Sequence, residues 1–66
     1  MSEIDVAKLR AKLGLSQTKF ADEFGLDVST VRSWEQGKRR PDGPARVLLM
    51  VIARSPQIVQ QALKVA

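Results

Sequence analysis

Between Gln17 and Gln36, a small residue, Ala21, stands four positions before Gly25, ten before Val31 and thirteen before Trp34. If the first half of this stretch is helical, Phe20, Ala21 and Phe24 share one face, and in the second half Val31 and Trp34 share another. Two helices that cross closely need a small side chain at the crossing, which Ala21 supplies. A sharp turn between them needs a residue that tolerates positive φ, which Gly25 supplies. Each residue is common, but the joint spacing fits few arrangements other than two short helices, over 17–24 and 28–36, packed across a tight turn. A plain helical bundle with incidental glycines is the competing reading.

The remaining elements follow from periodicity and punctuation. Val6, Leu9 and Leu13 make one apolar stripe of a helix over 3–13, which Gly14 ends while Leu15 folds back. Ser16 and Asp27 are good N-caps for the second and third helices, and Gly37 closes the third. Asp42-Gly43-Pro44 opens a fourth helix over 44–54, with Ala45, Leu48, Leu49 and Ile52 in one stripe. Ser55-Pro56 repeats the start signal for a fifth over 56–65, where Ile58, Val59, Ala62, Leu63 and Ala66 align. No alternating strand pattern, internal repeat, low-complexity segment or long linker interrupts them. The expectation is an all-α, compact five-helix fold in a single domain over 1–66.

A chain of 66 residues lies near the small end of what folds alone, so its core must be efficient or be completed by a partner. The sequence holds no cysteine and no histidine, which removes disulfides, the usual zinc sites, thiol nucleophiles and histidine-based triads. Asp22 and Glu23 are adjacent on a helix, so they do not face one another as an acid–base pair would and read as a solvated face. No enzyme activity, cofactor or metal is expected. The longest apolar run, Val47 to Ala53, is seven residues, whereas a membrane crossing needs about twenty. Acidic residues follow Met1 where a signal peptide would carry positive charge, so no export is implied. A cytoplasmic location is expected, which the absence of cysteine also fits.

Eleven Lys and Arg against seven Asp and Glu give a net charge of +4 and a pI near 10.1, the balance of a nucleic-acid binder. Position sharpens this, because Gln36-Gly37-Lys38-Arg39-Arg40-Pro41 places three consecutive cations just after the third helix, where a phosphate backbone would pass. The outward face of that helix carries Ser29, Thr30, Arg32 and Ser33, with Val28 at its leading edge and no acidic residue. Arginine can bond a guanine edge in bidentate fashion, serine and threonine suit several bases, and a valine methyl can rest on a thymine methyl. This set is the candidate for contact with DNA bases; a solvated polar face is the alternative. Arg10 and Glu35 sit beside apolar stripes where the first helix and the end of the third could meet, so a partly buried ion pair is expected there, the alternative being two separate surface charges.

Leu13-Gly14-Leu15-Ser16-Gln17, Phe20-Ala21, Gly25-Leu26 and the run from Ser29 to Pro41 resemble the Xre helix-turn-helix family, which includes lambdoid phage repressors and Cro proteins. The resemblance spans residues 5–54. It implies a lambda-repressor-like DNA-binding domain acting as a symmetric dimer on a palindromic operator. By position it implies that Ser16 and Gln17 hold phosphate, that Val28, Ser29, Thr30, Arg32 and Ser33 face bases, and that Gln36, Lys38, Arg39 and Arg40 hold the backbone. It matches Arg10 and Glu35 to a structural ion pair of some members. The stretch Gly43-Pro44-Ala45 to Leu48-Leu49, followed by Arg54-Ser55-Pro56, resembles HigA-type antitoxins, which repress their own operon and bind a ribonuclease toxin. Such antitoxins often carry a further toxin-wrapping segment with no counterpart in these residues, so the chain is expected to be either a shortened piece or a free-standing regulator.

The fourth helix has more apolar residues than one stripe uses, since Val47, Met50 and Val51 lie off it. With Ile58 they are the candidate dimer interface. Burying about 100 Å² of each at about 25 cal/mol per Å² contributes at most ~2.5 kcal/mol apiece. A monomer with a thicker core is the alternative. The expected function is sequence-specific regulation of transcription on double-stranded DNA, most simply repression by a homodimer, with a cognate toxin as a further partner. The competing function is a toxin-neutralising interaction module whose DNA binding is secondary.

Overall fold

A computed structural model of the protein describes residues 4–65, which form five α-helices: α1 (Val6–Leu13), α2 (Gln17–Glu23), α3 (Val28–Gln36), α4 (Gly43–Arg54) and α5 (Pro56–Val65). Side-chain caps set most of the starts. Asp5, Ser16, Asp27 and Asp42 each take up extended backbone, and their side-chain oxygens accept the N–H of Lys8, Lys19, Ser29 and Ala45 at 2.9–3.1 Å.

The boundaries differ from the sequence expectation at three places. α1 starts at Val6 and not at residue 3, because the Asp5 carboxylate satisfies the Lys8 N–H only from a non-helical backbone. Residue 3 itself, like Ala66 at the far end, lies outside the described residues. α2 closes one residue early, with Phe24 as its C-cap and Gly25 taking the left-handed φ of +67° just beyond. α4 begins at Gly43, immediately after its Asp42 cap.

Among the described side chains the core is built from Val6 and Leu9 of α1, Phe20 and Ala21 of α2 with Phe24, Val31 of α3, and Leu49 and Ile52 of α4. Phe20, Val31, Leu49 and Ile52 are fully buried. The Phe20 and Phe24 rings meet in a tilted pair, centroids 5.0 Å apart. Ala21 is buried as a close crossing requires. Its carbonyl accepts the Leu26 N–H at 2.8 Å, which pins the turn into α3.

Two apolar faces are only partly covered. Trp34 is half-buried rather than enclosed, packing one side against the core. The α5 stripe does not sink into the core: Val59 packs against it, while Ile58 and Leu63 are 60% and 45% exposed and Ala62 is open. The cause is the connection. Only Ser55 separates α4 from α5, so α5 is set down along α4 and beside the α2–α3 turn instead of beneath them. There Leu63 lies over Gly25, and Gln60 Nε2 donates to Glu23 Oε2 at 3.1 Å.

Candidate nucleic-acid interface

α3 is held on its inner side by Val31 and leaves a polar outer side. Ser29, Arg32 and Gln36 are exposed, and Thr30 and Ser33 are half-buried. Val28 is half-buried and packed against the core, so only part of it faces outward. The Ser29 hydroxyl donates to Asp27 Oδ1 at 3.1 Å, tying the first outward side chain to the helix cap. At the other end Gly37, at φ +75°, turns the chain so that its own N–H and that of Lys38 return to the last carbonyls of α3, Lys38 to Ser33 at 3.0 Å. Lys38, Arg39 and Arg40 are exposed on this fixed loop, beside the negative end of the helix dipole.

Beneath α3 lies a four-residue polar chain. Arg10 Nε and Nη2 donate to Glu35 Oε2 and Oε1 at 2.8 and 3.0 Å, and Arg10 Nη1 donates to the Leu15 carbonyl at 3.0 Å. Gln17 Nε2 donates to Glu35 Oε1 at 3.1 Å, and Arg32 Nε donates to Gln17 Oε1 at 3.3 Å. Hydrogen bonding from Arg10 holds the Glu35 carboxyl below its ordinary pKa; burial opposes this and the Gln17 amide adds to it. The same bond raises the Arg10 pKa. Glu35 is thus neutralised internally and adds little negative field to the outer face.

Sequence reasoning placed Arg10 and Glu35 together but missed Gln17 and the Leu15 carbonyl as their partners. It also missed Arg46 of α4, which lines a hollow of about 240 Å³ with Arg39, Arg40, Trp34 and Ile4, widening the cationic surface. No motif marks these, since each depends on how two helices are set relative to one another. Ser16 is exposed, and its oxygen already accepts the Lys19 N–H, leaving its own O–H to donate. Val47, Met50 and Ile58 are exposed and Val51 half-buried; Val47, Met50, Val51 and Arg54 share one shallow hollow.

The family model described as helix-turn-helix matches residues 6–45, the span from the start of α1 to the opening of α4. The chain belongs to the helix-turn-helix family. A solved member, a "HTH XRE-family like protein" from Agrobacterium tumefaciens, is 38% identical and superposes with a TM-score of 0.84, covering 91% of this chain and 98% of that one. Antitoxin HigA-2 of Vibrio cholerae serotype O1 is 30% identical over 57 residues, 86% of this chain. The chain spans about half, 55%, of that antitoxin's length. The helix-turn-helix of this chain is α2 and α3 joined at Gly25, on the all-α fold of Xre-like proteins, with similarity to HigA antitoxins. Family and fold together are those of helix-turn-helix, Xre-like proteins. No helix among the described residues is long and apolar enough to cross a membrane, and none of their side chains form a cluster able to hold a metal ion.

Proposed function

We propose that the chain is a sequence-specific transcriptional repressor that binds double-stranded DNA as a homodimer on a palindromic operator in the cytoplasm. The observation that carries this is the outer side of α3, where exposed Ser29 and Arg32 stand on a helix whose far end leads into the exposed cations Lys38 and Arg39 on a loop fixed to it. In this reading α3 enters the major groove, Val28, Ser29, Thr30, Arg32 and Ser33 meet bases, and Ser16, Gln17, Gln36, Lys38, Arg39 and Arg40 meet phosphates. Val47, Met50, Val51 and Ile58 join two protomers, so that two α3 helices stand about 34 Å apart, one turn of DNA. Occupancy of the operator then excludes polymerase. Sedimentation of the chain with a duplex carrying its preferred site tests the stoichiometry: two protomers per duplex support the reading, and one protomer per duplex contradicts it.

The similarity to Antitoxin HigA-2 favours a second role, as an autoregulating antitoxin that also neutralises a toxin. Co-expression with the product of the adjacent gene, followed by affinity capture, tests this: recovery of a stoichiometric complex supports it, and recovery of the chain alone contradicts it.

A further inference from the structure

Gln17 occupies a place that a phosphate contact alone does not explain. Its amide lies between a carboxylate and a guanidinium, and the two neighbours fix which way round it stands. Glu35 can only accept hydrogen bonds, so Gln17 must turn its NH2 inward, as it does at 3.1 Å. Its carbonyl oxygen then faces outward and accepts from Arg32 Nε at 3.3 Å. Glu35 is itself immobilised by two bonds from Arg10, and Arg10 by the Leu15 carbonyl at the entry to α2.

We infer that Gln17 is a positioning residue for base recognition: it holds the Arg32 side chain by its Nε, leaving the two terminal nitrogens as a forward-facing fork. This rests on the reading above that Arg32 contacts bases. A guanidinium offers five donors in one plane, and bidentate recognition of a guanine edge uses two parallel ones. With Nε occupied by Gln17, the Nη1 and Nη2 pair is the remaining bidentate edge. Arg32 is exposed on a long, rotamer-rich side chain, so free it would have to be ordered when DNA arrives. The chain of bonds from Leu15 through Arg10, Glu35 and Gln17 supplies that order beforehand. Lysine at 32 would lose it, having no Nε–H edge to give Gln17 while keeping a fork.

The test is a double-mutant cycle on the full chain, with Arg32→Ala, Gln17→Ala and the double variant titrated against the preferred duplex and duplexes altered one base pair at a time. Arg32→Ala should lower discrimination at one base pair about tenfold. Gln17→Ala should lower discrimination at that same base pair, and should lower it no further once Arg32 is gone. Gln17→Met, which keeps the side-chain length and neither polar group, should repeat this in a chain still folded at the assay temperature, its melt lowered only by the lost bond to Glu35. If the Gln17 variants weaken every duplex by the same factor and leave discrimination intact, Gln17 is a phosphate contact only and the inference fails. If Arg32→Ala leaves discrimination unchanged, the base-reading role fails, and the inference with it.

Discussion

Arg10 and Glu35, twenty-five residues apart, meet through two parallel bonds of 2.8 and 3.0 Å that join the end of α1 to the end of α3. Only 23% and 9% of the two side chains stays accessible, so water competes weakly for Glu35. Removing one member leaves the other partly buried and unpaired, which costs more than loss of a surface pair. Glu35→Ala should lower the melting temperature by roughly 10 °C or more in a domain of this size. A circular-dichroism melt checks it, and a curve within about 2 °C of the parent contradicts the pair's structural role.

The same pair gives a signed pH dependence. The folded Glu35 pKa is depressed by Arg10, so its contribution is complete above the unfolded glutamate value of about 4.3 and is lost as pH falls through the folded pKa. Urea midpoints should therefore fall on acidification from about pH 6 to about pH 3, and fall less in Glu35→Gln, which has no carboxyl to titrate. Equal acid sensitivity in the two proteins would place the titration elsewhere.

Gly25 in the turn between α2 and α3 and Gly43 at the start of α4 should respond unequally to substitution. Gly25→Ala must hold alanine at a φ of +67°, with its Cβ 3.4 Å from Leu63, and should destabilise by about 1–2 kcal/mol. Gly43→Ala needs no left-handed backbone and meets nothing beyond its chain neighbours, only the ring of Pro44 that follows it, so it should cost less than Gly25→Ala. Urea unfolding of both variants measures the contrast, and equal losses would contradict this account of the turn.

Those two glycines show how far the sequence could be read. Gly25 carried its meaning openly, because few residues but glycine sit at positive φ and the spacing to Ala21 and Val31 made that turn necessary. Periodicity likewise gave Val6, Leu9, Phe20, Leu49 and Ile52 as core. The stripe of α5 is legible as apolar, but periodicity reports that a face is apolar and not what covers it. Ile58 and Leu63 stay largely exposed since the one-residue link at Ser55 decides where α5 lies. Position along the chain points Gln17 to phosphate, whereas its bonds to Glu35 and Arg32 depend on the packing of the helices. Asp5 caps α1, yet nothing near it in the sequence forbids an earlier helix start.

On the DNA side, the cations after Gly37 and the side chains of α3 should separate by their salt and sequence dependence. Arg39→Ala should weaken binding to all duplexes alike and reduce the slope of log affinity against log salt by about 0.9, one phosphate contact. Fluorescence anisotropy across a salt series measures the slope. A changed sequence preference with an unchanged slope would put Arg39 among the base readers.

The central claim, that α3 reads sequence in a symmetric pair, is tested most directly by selecting bound duplexes from a random pool with the full chain. The account predicts an enriched palindrome whose half-sites lie about 10 base pairs apart, and loss of one enriched base per half-site with Arg32→Ala. A pool that shows no enrichment, or a single unrepeated half-site, would contradict it.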